Sequence, residues 1–199
     1  MSFSRKVKEE LARQISTARH CCIAEFAAIF HLCGRIKRDS LGNPYLQIDT
    51  ENLTVAQKSY ILLRKTFQVQ IEIMVRNHNV RSSNVSFSII VKESQDVILV
   101  LKAIKIIDEN GNLWGGFQKI HRRLVQNTCC KRAYLRGSFL VAGSITNPEK
   151  AYHLEIAVLS ESYALQLQEL MASFGMDAKI VERKKYHVLY IKEGSQIVD

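Results

Sequence analysis

Two stretches of this sequence decide its fold: Cys22-Ile-Ala-Glu-Phe-Ala-Ala-Ile-Phe-His-Leu-Cys-Gly34 and Cys130-Lys-Arg-Ala-Tyr-Leu-Arg-Gly-Ser-Phe-Leu-Val-Ala-Gly143. Each is apolar, contains many small residues, opens at a Cys-Cys pair and ends in glycine. The pattern predicts two helices with glycine as the C-cap, where a left-handed residue is needed. The Cys-Cys pairs lie 108 positions apart (21 to 129), which indicates an internal repeat.

The segments that follow these helices change to a strand pattern. Turn sequences, Leu41-Gly-Asn-Pro44 and Asn147-Pro148, divide each segment into a hairpin. The predicted hairpin strands are Arg35–Arg38 with Tyr45–Thr50, and Gly143–Thr146 with Tyr152–Leu159.

A second helix is predicted in each half, because apolar residues recur at the core-facing spacing 0, 4, 7, 11. The stripes are Ala56, Tyr60, Leu63 and Phe67, and Tyr163, Leu167, Leu170 and Phe174. Thr54 with Gln57 predicts a capping box. Alternating residues then predict two closing strands per half, with Ile73 and Val75 on a buried face in the first. The unit is therefore α-β-β-α-β-β, present twice, in an α+β fold with halves 1–108 and 109–199.

The composition excludes several classes of protein. The chain has 199 residues, 47% of them hydrophobic and only two prolines, which excludes a disordered or collagen-like chain. The longest apolar stretch is interrupted by Lys102 and Lys105 and is too short for a membrane helix. The N-terminus shows no secretory signal, so we expect a cytoplasmic, nucleoid-associated protein without a membrane partner.

The charge favours a polyanionic partner. There are 28 Lys and Arg against 19 Asp and Glu, a net charge of +9 that both halves share. No acidic residue occurs from Asn110 through Pro148, a candidate phosphate-contacting stretch. A solvated, Lys-rich surface would give the same composition, and both interpretations stay open.

The cysteines and histidines do not predict a metal site. The five cysteines include no C-x-x-C pair, and the six histidines are scattered singly. Adjacent cysteines rarely direct both thiolates at one tetrahedral ion, so we interpret these cysteines as packing residues in a reducing compartment. No metal or other cofactor is expected.

The chain resembles the LAGLIDADG homing endonucleases, because each copy of its duplicated unit opens with a small-residue helix that ends in glycine. The resemblance implies that the two helices pack along a pseudo-twofold axis and that two sheets form a saddle over the DNA major groove. It also implies a helix-pair interface made by Ala24, Ala27, Ala28, Gly34, Ala133, Gly137, Ser138 and Gly143.

A finer similarity is to the bacterial WhiA regulators. It rests on the segment Cys129 to Ile156 and on the opening Ser2-Phe-Ser-Arg-Lys-Val-Lys-Glu-Glu-Leu11. The similarity implies a degenerate LAGLIDADG domain followed by a helix-turn-helix, with a role in transcriptional control of cell division, chromosome segregation and sporulation. The helix-turn-helix has no counterpart in these residues, so we expect it to lie outside this chain.

The resemblance also locates the catalytic positions. Active LAGLIDADG enzymes carry a metal-binding acid just before the terminal glycine of each helix. Here Cys33 and Ala142 occupy those positions, and neither offers the oxygen ligand that Mg²⁺ requires. The sequence therefore predicts a protein that is not an enzyme.

The leading hypothesis is a non-catalytic scaffold that contacts DNA without reading its sequence. The candidate DNA-binding residues are Arg35, Lys37, Arg76, Lys92, Lys119, Arg122, Arg123, Arg183 and Lys185. One alternative is a protein-interaction platform for a regulatory partner, because Glu72, Met74 and Ile90 lie among the basic residues. Another is an active endonuclease. A monomer is expected, since the duplication already supplies the twofold symmetry.

Overall fold

The protein is described by a computed structural model, which covers residues 2–77, 85–114, 119–194 and 197. The helices are α1 (Phe3–Arg13), α2 (Arg19–Cys33), α3 (Leu53–Phe67), α4 (Ser94–Ala103), α5 (Thr128–Ala142) and α6 (Glu161–Ala172), with a 3₁₀ turn at Arg122–Val125. The strands are β1 (Gly34–Arg38), β2 (Pro44–Thr50), β3 (Glu72–Asn77), β4 (Val85–Val91), β5 (Gly143–Ile145), β6 (Leu154–Val158), β7 (Lys179–Arg183) and β8 (Tyr186–Ile191).

The strands form two antiparallel sheets with the same topology, β1-β2-β4-β3 and β5-β6-β8-β7. The predicted α+β fold with a duplicated α-β-β-α-β-β unit is confirmed. Helices pack on one face of each sheet and bury its apolar residues, which include Leu46, Ile48, Ile89, Ile156 and Leu189. The opposite face of each sheet carries the polar residues of the alternating pattern.

The repeat distance is 109 positions, not 108. Helices α2 and α5 each have 15 residues, and each is followed directly by the first residue of a strand, Gly34 or Gly143 (34 to 143). The two Cys-Cys pairs are therefore displaced by one residue. Cys21 is equivalent to Cys130, and His20 is equivalent to Cys129.

The glycines that end α2 and α5 do not adopt the predicted left-handed conformation. Gly34 and Gly143 have φ of −85° and −86°. A Cβ at Gly34 would lie 2.3 Å from the Phe30 ring, and one at Gly143 would lie 2.2 Å from the Phe139 ring. Glycine is needed here because the phenylalanine folds back over the helix end.

Two other details differ from the sequence analysis. Helix α3 starts after Asn52, whose side chain accepts from the Thr54 N–H at 2.9 Å, so Asn52 rather than Thr54 is the N-cap. Strand β3 is exposed along its whole length, including Ile73 (54%) and Val75 (57%), which were predicted on a buried face. It is an edge strand, and no described helix covers it.

Helix α1 has no counterpart in the predicted unit. Ser2 caps its first turn, and Val7, Leu11 and Ala12 pack against the core. Among the described residues, no helix is long and apolar enough to cross a membrane.

Candidate functional site

The centre of the molecule is the close packing of α2 against α5. Ala24, Ala27 and Ala28 are fully buried, as are Ala133 and Ser138 on the facing helix. A Cβ on Gly137 would lie 2.5 Å from the Glu25 carbonyl oxygen. The small residues therefore let two helix backbones approach within a distance that larger side chains would prevent.

A buried ionic cluster lies at the same contact. The Glu25 carboxylate receives two hydrogen bonds from the Arg136 guanidinium, at 2.9 and 3.0 Å, and pairs with Lys58 Nζ at 2.9 Å. The side chains of Glu25 and Lys58 are both fully buried. Lys58 also donates to backbone carbonyls at the end of α1, including that of Leu11. One carboxylate thus joins α2, α3 and α5, and α1 is attached to it through the lysine.

A second buried network joins the two halves. His31 Nδ1 lies 2.6 Å from the Tyr134 hydroxyl, which lies 2.9 Å from the Tyr163 hydroxyl. Burial lowers the pKa of His31 to about 4 and raises the pKa of Tyr134. All three side chains are therefore neutral at physiological pH, and the network is structural.

The ends of α2 and α5 do not fit the divalent ions that the fold family implies. The Cys33 thiol donates to the Ile29 carbonyl at 3.2 Å. Burial, together with the nearby Asp49, raises its pKa to about 12, so the thiol stays protonated. Ala142, at the equivalent position, has only a methyl group. Neither residue supplies the hard anionic ligand that a divalent ion would need at this site.

Four of the candidate DNA-binding residues share one face of the first sheet. Strand register places Arg35 opposite Gln47, and Ile90 opposite both Gln47 and Glu72. Side chains that are directly opposite on neighbouring strands lie on one face, as do residues two positions apart on one strand. This sheet face, turned away from the helices, carries Arg35, Lys37, Arg76 and Lys92.

Carboxylates partly neutralise the positive charge of the sheet face. One of them, Asp49, was not among the residues predicted from the sequence. Lys92 pairs with Glu72 at 2.6 Å, and Lys37 lies 3.8 Å from Asp49. Burial would raise the pKa of Asp49, but hydrogen bonds from Ser88 and Gln47 and the charge of Lys37 lower it below its ordinary value. Asp49 follows the buried Ile48 in β2, and this alternation could have placed its side chain on the sheet face.

On the corresponding face of the second sheet, Lys179, Arg183 and Lys192 are basic and exposed. Ser144 replaces Arg35 at the repeat distance, and Glu155 on β6 pairs with Arg183 at 3.3 Å. Lys185 lies in the turn between β7 and β8, over the ring of Tyr186. Both sheet faces therefore carry basic residues, and the first differs in having two on this face of its first strand, Arg35 and Lys37.

Lys119, Arg122 and Arg123 do not join the sheet face. They are exposed beside the 3₁₀ turn that precedes α5. A helix of 15 residues is about 22 Å long, and the sheets begin at its other end. The predicted set of basic residues is thus divided between opposite ends of the helix pair.

A group of possible metal ligands, which the sequence analysis did not predict, also lies at the start of the helix pair. His20, Cys21, Cys129 and Cys130 place their ligand atoms within 4.8 Å of one another. The Cys-Cys pairs are displaced by one residue between the two halves, so aligning them makes Cys21 equivalent to Cys129. This concealed the group, because the true equivalent of Cys21 is Cys130.

Comparison with known proteins identifies the family. The WhiA N-terminal LAGLIDADG-like domain matches residues 19–107, and the WhiA LAGLIDADG-like domain matches residues 131–199. The chain belongs to the WhiA family. It is 45% identical over 199 residues to a probable cell division protein WhiA of Lachnoclostridium phytofermentans and 36% identical to one of Clostridium botulinum. Each alignment spans the whole of this chain and 63% of the relative. The chain therefore spans less than two thirds of the relatives' length.

Solved structures agree on the fold. The full-length WhiA from Thermatoga maritima aligns with a TM-score of 0.70 at 22% identity, over 100% of this chain and 60% of that one. A point variant of the homing endonuclease I-DmoI, in complex with its target DNA in the presence of Mg, aligns with a TM-score of 0.61 at 11% identity, over 90% of this chain and 93% of that one. The chain therefore has the LAGLIDADG fold that its sequence predicts.

Proposed function

We propose that this WhiA chain is a non-catalytic scaffold that contacts DNA within a transcriptional regulator of cell division, chromosome segregation and, in sporulating bacteria, sporulation. In this proposal the regulator acts as a monomer at the nucleoid, and sequence is read by a helix-turn-helix elsewhere in the protein. The observation that carries the proposal is the sheet face, where Arg35, Lys37, Arg76 and Lys92 lie on the side turned away from the helices.

The chemistry of the sheet face suits phosphates better than bases. Lysine and arginine side chains on an exposed sheet neutralise phosphate charge and release counterions. Such contacts orient a protein on the duplex and carry no sequence information directly. Since Glu72 and Asp49 offset part of the charge, we expect weak binding that salt readily reverses.

Titration of a fluorescent duplex at several salt concentrations tests the DNA contact. We expect affinity to fall as salt rises, with log Kobs decreasing by about 0.9 per phosphate contact for each tenfold increase in salt. Two duplexes of unrelated sequence should bind equally. Binding that is undetectable at low salt would refute the DNA contact.

The absence of catalysis is tested separately with the full-length protein and plasmid DNA. We expect no cleavage with Mg²⁺ or Mn²⁺, because Cys33 and Ala142 replace the two metal-binding acids. Site-specific cuts that depend on the metal would show that the protein cleaves DNA without acids at positions 33 and 142.

A second candidate function is a protein-interaction platform. The observation in its favour is the exposed edge strand β3, where Ile73, Met74 and Val75 are each at least 41% exposed. An exposed apolar edge can pair with a strand of a regulatory partner. If charge reversal at Arg35 and Lys37 leaves the DNA affinity of the full-length protein unchanged, the platform becomes the better account.

A further inference from the structure

The start of the helix pair brings together three thiols and one imidazole. His20 Nδ1 lies 3.1 Å from Cys130 Sγ and 3.4 Å from Cys21 Sγ. With Cys129, all four ligand atoms lie within 4.8 Å of one another. Two ligands come from the first turn of α2 and two from the first turn of α5.

The arrangement follows from the internal duplication. His20 and Cys129 occupy equivalent positions at the repeat distance of 109 (20 to 129), and so do Cys21 and Cys130 (21 to 130). The pseudo-twofold axis between α2 and α5 therefore brings two equivalent pairs to one point. Cys129 and Cys130 are adjacent in sequence, yet the first turn of α5 places both of their sulfur atoms within the group.

The observed distances are close to those of a tetrahedral site. With Zn–S of about 2.3 Å and Zn–N of about 2.0 Å, tetrahedral geometry separates two sulfurs by about 3.8 Å and a nitrogen from a sulfur by about 3.5 Å. The measured separations from His20 are 3.1 and 3.4 Å, and none in the group exceeds 4.8 Å. Side-chain movements of less than about 1 Å would complete the tetrahedron.

The chemistry of the ligands selects the ion. Three sulfurs and one imidazole form a Cys₃His set, which is typical of structural zinc and unsuited to Mg²⁺ or Ca²⁺. Zinc binds cysteine as the thiolate, so binding would release the thiol protons. Cys21 and Cys130 are buried, whereas His20 and Cys129 are exposed, so an ion can enter from the surface.

We propose that His20, Cys21, Cys129 and Cys130 form a structural Zn²⁺ site that joins the two halves of the molecule at the start of the central helix pair. The four protein ligands complete the coordination, so the site holds the helices together and does not activate water. It lies about 20 Å from the degenerate positions at Cys33 and Ala142, at the other end of the helices.

Metal analysis of the full-length protein tests the site. Protein purified under reducing conditions, stripped with a chelator and titrated with Zn²⁺ should bind one ion per chain. Co²⁺ in its place should give the thiolate charge-transfer absorption and the intense visible bands of a tetrahedral sulfur site. Thermal unfolding should shift to higher temperature with Zn²⁺, because the ion binds only the folded chain.

Variants assign the binding to these residues. His20→Ala and Cys129→Ser alter exposed ligands and should remove the Co²⁺ spectrum while leaving the circular dichroism unchanged. The control variants are Cys22→Ser, whose Sγ donates to the Ser16 carbonyl, and Cys33→Ser at the far end of α2, and both should retain one Zn²⁺ per chain. The proposal is overturned if the reduced wild-type protein binds no Zn²⁺ or if the controls lose the metal as well.

Discussion

Gly137 is the residue on which the close approach of α2 and α5 depends most directly. Its missing Cβ would lie 2.5 Å from the Glu25 carbonyl oxygen and 3.0 Å from the Ala28 Cβ. The first contact is with backbone, which cannot rotate away. Helix propensity alone would make alanine about 1 kcal/mol better than glycine inside a helix, so the two effects have opposite signs.

Gly137→Ala should therefore destabilise the protein despite the better propensity. Overpacking costs typically 1–3 kcal/mol, and after the opposing propensity gain we expect a net loss of up to about 2 kcal/mol in the free energy of unfolding by urea. Lys131→Ala on the same helix is the control and should change stability by less than about 0.5 kcal/mol. A Gly137→Ala protein as stable as the wild type would mean that the helices are farther apart than described.

His31 gives the molecule a defined response to acid. The pKa of His31 is lowered to about 4 in the folded chain because the side chain is buried, whereas an unfolded chain has an ordinary histidine near 6.5. Between these values the unfolded state binds a proton that the folded state does not. Stability should therefore fall as pH drops from about 6.5 to about 4, by on the order of 3 kcal/mol from this group.

His31→Leu should remove this part of the pH dependence. Leucine is the residue at the equivalent position 140 of the second half, and Tyr134 would keep the Tyr163 hydroxyl as a hydrogen-bond partner. Urea unfolding at pH 7, 5.5 and 4.5 should show a smaller loss for the variant than for the wild type. If the free energy of unfolding fell equally with pH in His31→Leu and in the wild type, the result would contradict a buried, neutral His31.

At the scale of elements, Lys58 connects α1 to the rest of the fold. Its ammonium group pairs with Glu25 and donates to the carbonyls of Leu11 and Ala12 at the end of α1. A cation at this end is favoured by the helix dipole, and the carbonyls there have no partners within the helix. The attachment of α1 is thus tied to a charge buried between α2 and α5.

Lys58→Met should lower the free energy of unfolding by about 3 kcal/mol or more, because it leaves Glu25 with one cation and the end of α1 without its donor. Hydrogen exchange should show α1 opening first, because its own apolar contacts are few. The control is Lys65→Met on the same helix, where an exposed ammonium reaches the Ser16 carbonyl, and we expect a change below about 0.5 kcal/mol. Unaltered protection of α1 in Lys58→Met would refute the anchoring role.

The elements also show which parts of the fold a sequence can predict. In β2 and β4 the core residues alternate in sequence with residues of the other face, although Gln47, Ser88 and Ile90 on that face are buried too. Helices α2 and α5 are rich in apolar and small residues, so each pattern was visible. Helix α1 was not predicted, although its Ser2 cap and the spacing of Val7 and Leu11 are local signals. Its attachment through Lys58 could not be predicted, because that contact spans more than forty positions. The ion pair of Glu25 with Lys58 and Arg136 could not be predicted either, since its partners lie on three helices.

At the scale of the whole molecule, duplication explains both what was predictable and what was not. The repeated unit was evident from its spacing, but the Cys-Cys pairs, its most visible feature, gave a repeat distance one residue short. At the correct repeat distance of 109, Cys33 is equivalent to Ala142 and His20 is equivalent to Cys129. The basic residues were predicted as one set, yet the fold separates the sheet face from Arg122 and Arg123 by the length of the helix pair.

The central claim is that the sheet face of the first half contacts DNA, and matched charge reversals at the two ends of the helix pair test it. The sheet variant is Arg35→Glu with Lys37→Glu, and the control is Arg122→Glu with Arg123→Glu, which makes the same change in net charge at the other end. The measurement is duplex affinity by fluorescence anisotropy across a series of salt concentrations. We predict that the sheet variant binds at least about tenfold more weakly at low salt, with a salt slope smaller by about 2, and that the control changes affinity less than about threefold. Equal losses in both variants, or a loss confined to the Arg122 and Arg123 variant, would contradict the account.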